Sequence, residues 1–415
     1  MSGQTLPQAV LYLTTELPWP ATSGGRVRSL AELSLLGSLP EVSEIHVVCL
    51  REEEVAERTL RELEDAVPKA LVEMPVFHPI HLKAFPRYIP RVLWRRALGE
   101  PYLAGKWASP AVVEALETAV RRRDFAVVYI DHLGMMRYEK LLRRLLPQAR
   151  FVLEQHNVES DFFRQFASRA PLALKPAALL EFRLARRFEM AAMRKVDAVV
   201  AISHEDARTF RAMAGVEAVV VPQRVAFDAN RPFAPTAREV LYVGNLSWRP
   251  NVEGLDWFFR EVWPRARARD ASLRLSIAGS GLKKDAAGSP VVPELWRQPG
   301  VTIRGFVDDL GPLYAKASVL VAPIVGGSGV RIKLLEGMAY GVPVVTTRDG
   351  AAGLPIRAGV EAEIETNPDA FAERMVALAS DEGRGTRLRA AAFAFLEAHH
   401  SSAACGAAMR RALAL

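Results

Sequence analysis

Between Val321 and Thr347 the chain reads VAPIVGGSGVRIKLLEGMAYGVPVVTT, and this stretch concentrates the groups best suited to holding an anion. An apolar run from Val319 to Ile324 ends in Gly326, Gly327, Ser328 and Gly329. A helical pattern then extends to Tyr340, stops at Gly341 and gives way to a second apolar run, Val342 to Val345. The predicted order is strand, glycine turn, helix, strand. Glycines let the backbone approach a ligand closely, and a helix beginning just beyond them aims free N–H groups and a positive dipole end at it. A phosphate suits that place. Arg331 and Lys333 fall in or near the first helical turn, where the macrodipole disfavours each cation by about 0.3–1 kcal/mol. A bound diphosphate reverses that sign. Glu336 follows among Leu334, Leu335 and Met338. It either pairs with Lys333 at i,i+3 or accepts two ribose hydroxyls beside the phosphates.

Other candidate groups stand at the ends of predicted strands. The run Phe151 to Leu153 continues into Glu154, Gln155, His156, Asn157, Val158 and Glu159. A histidine at the carboxyl end of a parallel strand lies where open α/β sheets hold ligands, so His156 reads as a ligand-facing group, against the alternative of a satisfied structural histidine. Asp131 and His132, closing the preceding run, read as loop structure. Near the N-terminus the strand Ala9 to Thr14 leads through Ser23 into Gly24, Gly25 and Arg26 and a helix to about Gly37. The glycine pair is either a tight turn or a backbone surface facing a reacting group. It lacks the G-x-G-x-x-G spacing of a dinucleotide fold.

The elements that must position these groups alternate along the chain. Short apolar runs at Glu44–Leu50, Ala70–Val76, Phe125–Ile130, Phe151–Leu153, Ala198–Ile202 and Ala218–Val221 are separated mostly by helical patterns, which predicts a parallel, doubly wound sheet. The proline-bearing segment from Val221 to Pro235 breaks the pattern. It resumes with Val240–Val243, Leu273–Ala278 and Val301–Arg304, each followed by a glycine: Gly244 with Asn245, Gly279, and Gly305 with Phe306. Asp308 and Asp309 are expected to cap the helix running to Lys316. The chain has no D-x-D pattern.

The segment 326–353 resembles the donor site of GT-B glycosyltransferases of the large retaining family 4 type. Glu336, Gly337, Met338, Ala339, Gly341, Pro343, Val344 and Val345 match its second glutamate and the following G-x-P-V-V, while Ser328 stands where the family has its first glutamate. A subgroup reading G-x-G-x-R-x-K-x-L-E is similar to this sequence. The resemblance implies an α/β, GT-B architecture of two Rossmann-like doubly wound domains with a cleft between them. Residues 1–222 would form an acceptor-binding domain, 223–236 a linker and 237–395 a donor-binding domain, with a helix at about 396–415 returning to the first. It further implies that Glu336 grips the nucleotide ribose, Ser328 the transferred sugar, and Gly305 and Phe306 the base. Gly327 and Gly329 would lie beside the donor. Arg331 and Lys333 would replace the two cations that the family carries after the strand ending here at Gly244 and Asn245. His156 would assist near the sugar C6 or the phosphate, and Gly24, Gly25 and Arg26 would line the acceptor side.

The expected activity is that of a hexosyltransferase, moving sugar from a nucleoside-diphosphate sugar to a hydroxyl with retention, in polysaccharide, glycolipid or other glycoconjugate biosynthesis. Rivals are a sugar-nucleotide epimerase or an inverting transferase on the same fold, and a non-catalytic relative acting as an assembly partner. No cofactor or metal is expected, and no nucleic-acid partner. The chain has 415 residues, half of them hydrophobic, and a formal charge of +7. It contains no apolar run of about 18 residues and no cationic, apolar leader, which excludes a membrane-spanning reading. Cys49 and Cys405, far apart in apolar surroundings, read as buried thiols of a reducing compartment, so a cytoplasmic location is expected. The stretch 77–97 interleaves Phe77, Ile80, Phe85, Tyr88 and Trp94 with Lys83, Arg87, Arg91, Arg95 and Arg96. It reads either as a surface resting on anionic lipid at the inner face of a membrane, presenting a lipid-linked acceptor, or as a core-capping loop and helix with a solvated basic face.

Overall fold

The computed structural model describes residues 8–415 except 22, 52–54, 73–75, 78–98, 284, 286–289 and 327–329. Gly327, Ser328, Gly329 and nearly all of the 77–97 stretch thus lie outside the described residues. The chain divides into two compact units, Met1–Arg224 with Cys405–Leu415, and Val225–Ala404.

The first unit is built on a parallel sheet of β1 (Gln8–Thr14), β2 (Val42–Arg51), β3 (Ala70–Val72), β4 (Val76–Phe77), β5 (Val127–Asp131), β6 (Arg150–Gln155), β7 (Ala198–Ala201) and β8 (Ala218–Val220). Their order is β3-β2-β1-β5-β6-β7-β8, with β4 paired to β2. The near-continuous apolar strands follow from burial on both faces. Leu11, Leu13, Val128, Ile130, Phe151 and Leu153 face one core, and Val10, Tyr12, Val47, Tyr129 and Val152 the other. The run predicted over 70–76 forms two short strands, β3 and β4. The last helix, Ser402–Leu413, buries Cys405, Ala408, Met409, Ala412 and Leu413 in the second of these cores.

The second unit has β9 (Glu239–Val243), β10 (Arg274–Ala278), β11 (Val301–Gly305), β12 (Val319–Ala322), β13 (Val344–Thr346) and β14 (Glu363–Ile364), all parallel, in the order β11-β10-β9-β12-β13-β14. Chain direction across the sheet reverses between β9 and β12, and in the first unit between β1 and β5. Such reversals open a crevice beyond the carboxyl ends of the strands. Residues 225–236 form no helix or strand, yet Val225, Phe227 and Phe233 pack against the second core. The helix before Lys316 starts after Leu310 rather than at an aspartate cap, although Asp309 Oδ1 accepts the Gly311 N–H at 2.9 Å.

Candidate functional site

In the second unit the helix Ile332–Ala339 begins with Arg331 at its N-cap position, where no side chain caps it. Leu334, Leu335 and Met338 are buried in the core, which fixes the polar residues of the same helix towards the sheet's carboxyl edge. Lys333 does not form a salt bridge with Glu336. Its Nζ reaches the end of β9, 3.3 Å from Tyr242 Oη and 2.8 Å from Asn251 Oδ1, to which it donates. Asn251 is held in turn, its Nδ2 donating to Asn245 O at 2.8 Å. Burial pushes the ammonium down to about 7, neighbouring Arg331 pushes the same way, and Glu336 opposes both weakly.

Gly244 lies directly over that ammonium: a Cβ at this position would stand 2.6 Å from Lys333 Nζ and 3.1 Å from Asn251 Nδ2. The glycine therefore makes room for the lysine. The Asn245 carboxamide oxygen is engaged in its own turn, accepting the N–H groups of Ser247 and Trp248 and the Ser247 hydroxyl. Asn245 thus shapes the loop.

Arg331 is also buried, at 5 % exposure, and burial lowers its pKa. Its Nη2 donates to Gly326 O at 3.1 Å, and its guanidinium lies 5.4 Å from the Trp248 ring centroid. Gly326 has a left-handed φ of +70° and donates its N–H to Asp349 Oδ2 at 2.7 Å, which anchors the turn. Glu336, one turn beyond Lys333, is largely buried, and burial raises its pKa. Tyr314 Oη lies 3.5 Å from Glu336 Oε2 as its donor. Gly305 adopts φ +68° at the end of β11, and Phe306 next to it is 62 % exposed. The cations Arg331 and Lys333, the largely enclosed carboxylate of Glu336 one turn away and an exposed aromatic thus share the carboxyl edge of one sheet. That set can hold a diphosphate, a diol and a planar base.

In the first unit the helix Gly24–Ser38 starts from Ser23, whose Oγ accepts the Arg26 N–H at 3.3 Å. Arg26 pairs with Glu16 at 2.8 Å. A Cβ on Gly25 would lie 3.1 Å from Glu16 Oε1 and 3.9 Å from His132 Nε2, so the glycine lets the helix start close to that imidazole, whereas Gly24 faces open space. Asp131 and His132, expected as plain loop, prove to be part of a cluster with His156. Asp131 Oδ1 lies 2.5 Å from His156 Nε2, its Oδ2 accepts Ser29 Oγ at 2.6 Å and lies 3.3 Å from His132 Nδ1. The two imidazole centroids are 3.9 Å apart.

Burial pushes the Asp131 carboxyl up, but the facing His132 and His156 hold it well below the usual range. Burial pushes His132 down, and Asp131 outweighs this to set it at about 9. His132 also has φ +82°, uncommon for a residue with a side chain. Its donor atoms with those of Asp131 and His156 lie within 4.8 Å, a set that could also take a divalent cation. Glu189, from the helix Lys175–Met193, accepts the N–H groups of Glu159 and Ser160 at 2.8 and 3.0 Å and so holds the segment after His156.

Tyr242, Trp248, Asn251, Tyr314 and Asp131 were not singled out as site residues by the sequence. A tyrosine in an apolar strand and an asparagine early in a helix carry no local signal of the lysine they hold. The strand-end Asp-His pair was the one detectable hint.

Residues 237–381 match the family described as Glycosyl transferases group 1. Over 95 % of the chain it is 21 % identical to an uncharacterized 44.6 kDa protein in the cps region of Klebsiella pneumoniae, covering 96 % of that protein. Its fold is similar to that of HepE from Anabaena, solved with UDP and glucose, at TM-score 0.65 and 15 % identity, over 98 % of this chain and 99 % of that one. Sucrose-phosphate synthase of Thermosynechococcus elongatus matches at TM-score 0.67 and 16 % identity over 97 % and 98 % of the two chains. TarM of S. aureus matches at 0.68 and 11 % over 98 % and 99 %. The chain therefore has the GT-B fold.

Proposed function

We propose that the protein transfers a hexose from a nucleoside-diphosphate sugar to a hydroxyl acceptor, with retention and without a metal ion. The observation that carries this reading is Lys333: a largely enclosed ammonium at the reversal of the second sheet, beside Arg331, whose hydrogen-bond partners among the described residues are the neutral oxygens of Tyr242 and Asn251. Burying a cation this way is costly unless an anion arrives, and a diphosphate is the anion the fold family supplies. The two cations neutralise the charge that develops as the bond from sugar C1 to the phosphate oxygen breaks. The acceptor oxygen bonds to C1 on the same face, and its proton passes to the departing phosphate. Preorganised charge and alignment of this kind account for rate without covalent chemistry by the protein.

Glu336 is assigned to the ribose hydroxyls, Gly305 and Phe306 to the base, Ser328 with Gly327 and Gly329 to the transferred sugar, and Gly244 and Asn245 to shaping the phosphate site. His156, oriented by Asp131, is assigned to the sugar or phosphate edge, and Gly24, Gly25 and Arg26 to the acceptor. The relatives HepE and TarM, both solved with UDP, favour uridine as the base. We place the reaction in the cytoplasm, in glycoconjugate assembly.

The reading is tested by thermal unfolding with UDP, GDP, dTDP, ADP and their sugars, on the wild type and Glu336→Ala, without added metal. A ligand at ~100 times its dissociation constant stabilises by about 2.7 kcal/mol. One nucleotide should stabilise selectively, and the mutation should remove the effect. No shift with any of them would turn the reading towards a non-catalytic relative.

A further inference from the structure

Three side chains at and beyond the end of β13 hold the backbone that leaves β12. Thr346 Oγ1 donates to Ala322 O at 2.8 Å, Thr347 Oγ1 donates to Ile324 O, and Asp349 Oδ2 accepts the Gly326 N–H at 2.7 Å. Asp349 is thus the last rung of a ladder that starts inside the sheet, where Ala322 and Thr346 are register partners. Its carboxylate is exposed, yet its place is fixed: Thr347 Oγ1 also accepts the Gly350 N–H at 3.0 Å and so caps the short helix Arg348–Ala351 that carries it.

Gly326 is gripped at both of its peptide groups by side chains of opposite charge. Asp349 takes its N–H, and Arg331 Nη2 donates to its carbonyl at 3.1 Å. A single residue therefore separates the fixed carboxylate from the guanidinium. Asp349 favours the charged form of Arg331 against the burial that disfavours it, as Glu336 does for Lys333. The two cations of this edge have different acids beside them: one on the same helix, the other on the loop after β13.

Anchoring Gly326 does not account for the charge of Asp349. The N–H needs an oxygen, and an uncharged carboxamide oxygen would serve. The charge has a consequence only for Arg331 and for whatever anion Arg331 meets. A carboxylate tied to backbone stays near that anion, and like charges held close repel.

We propose that Asp349 is the resident counter-ion of Arg331 in the empty donor site and competes there with the nucleoside diphosphate, so that this product is held loosely enough to leave. The inference rests on the transferase reading. In the empty site the carboxylate offsets part of the cost of a guanidinium that is only 5 % exposed. In the loaded site it opposes the diphosphate that has taken over that role. A group that favours the empty state over the loaded one lowers affinity by the difference.

The test is calorimetric titration of the wild type, Asp349→Asn and Asp349→Ala with UDP, uridine and inorganic pyrophosphate, in about 0.02 and about 0.5 M salt. Asp349→Asn keeps an oxygen for the Gly326 N–H and loses the charge. It is expected to bind UDP and pyrophosphate about three- to five-fold more tightly than the wild type at low salt, the size expected of one exposed charge interaction. Uridine should bind equally to both, and the gain should fade at high salt. Asp349→Ala loses the anchor as well, so its diphosphate affinity should fall below that of Asp349→Asn. A gain in affinity is a result that damage to the fold does not imitate. Unchanged or weaker binding of UDP and pyrophosphate by Asp349→Asn, a gain shared by uridine, or a gain that survives high salt would each overturn the proposal. A wild type that binds neither UDP nor pyrophosphate would instead overturn the donor-site reading, and this inference with it.

Discussion

At Lys333 the fold holds a charge where burial disfavours it. Its pKa in the fold, about 7, lies below the ordinary lysine value of 10.5. Below pH 7 both folded and unfolded chains carry the proton, so the cost of the buried charge is present in full. Between about 7 and 10.5 the folded chain sheds the proton while the unfolded chain keeps it, and stability of the empty protein rises with pH. Lys333→Met is therefore expected to stabilise the empty protein at pH 6 by a few kcal/mol, read by urea unfolding, while abolishing nucleoside-diphosphate binding. A destabilised variant would show that the ammonium's bonds to Tyr242 and Asn251 outweigh its desolvation. In the first unit, Asp131→Asn should drop the His132 titration from about 9 towards 6.5, followed by imidazole NMR, and lower turnover about 10–100-fold by freeing His156. The native His132–Asp131 pairing stabilises fully below the free histidine value of 6.5 and fades as pH rises through 9. A midpoint that stays near 9 would assign the shift to Glu16 and Glu159 instead. Arg331, Lys333 and Glu336 stand out in the sequence because they break local rules on a helix. Asp131 does not, since nothing in the order of residues tells that two imidazoles and Ser29 converge on one carboxylate.

At the scale of elements, the glycines at the carboxyl ends of β9 and β10 play different parts. Gly244 is empty space for a flexible side chain, whereas a Cβ on Gly279 would collide with the backbone carbonyl of Gly244. Gly244→Ala should therefore fold with a loss of no more than about 1 kcal/mol while weakening diphosphate binding about ten-fold or more, because Lys333 must leave its seat. Gly279→Ala should cost several kcal/mol, since backbone cannot yield as a side-chain end does. Calorimetric titration with nucleoside and nucleoside diphosphate, alongside thermal unfolding, separates the two effects. Equal loss of nucleoside and diphosphate affinity in Gly244→Ala would mean the loop moved as a whole. The same contrast applies to Arg331→Ala, expected to weaken diphosphate binding far more than nucleoside binding.

For the whole molecule, alternation of apolar runs with helical patterns made both parallel sheets legible, because strands buried on two faces read as continuous apolar stretches. The unit boundary near the C-terminus was less legible. Helix Glu382–His400 buries Leu388 in one core of the second unit and Ala392, Phe393, Phe395 and Leu396 in the other, so the second unit extends to Ala404, and only Cys405–Leu415 belongs with the first. Both stretches read simply as amphipathic helix, and only packing tells which core each one enters. The closing helix is not a decoration: Cys405, Ala408, Met409, Ala412 and Leu413 are buried beside Leu35, Leu36 and Leu39, and Arg410 Nε bonds Glu41 at 2.8 Å. At about 1.5–3 kcal/mol for each large buried side chain, Met409 and Leu413 alone supply a sizeable part of a domain's usual 5–15 kcal/mol. A chain ending at Ala404 should accordingly show a first unit that unfolds at markedly lower temperature, or not cooperatively at all. The unit Val225–Ala404 should keep its own transition and its response to nucleotide. Calorimetry with and without the stabilising nucleotide reads both at once. A single transition, lowered as a whole and still shifted by nucleotide as one, would mean that the two units unfold as one cooperative body.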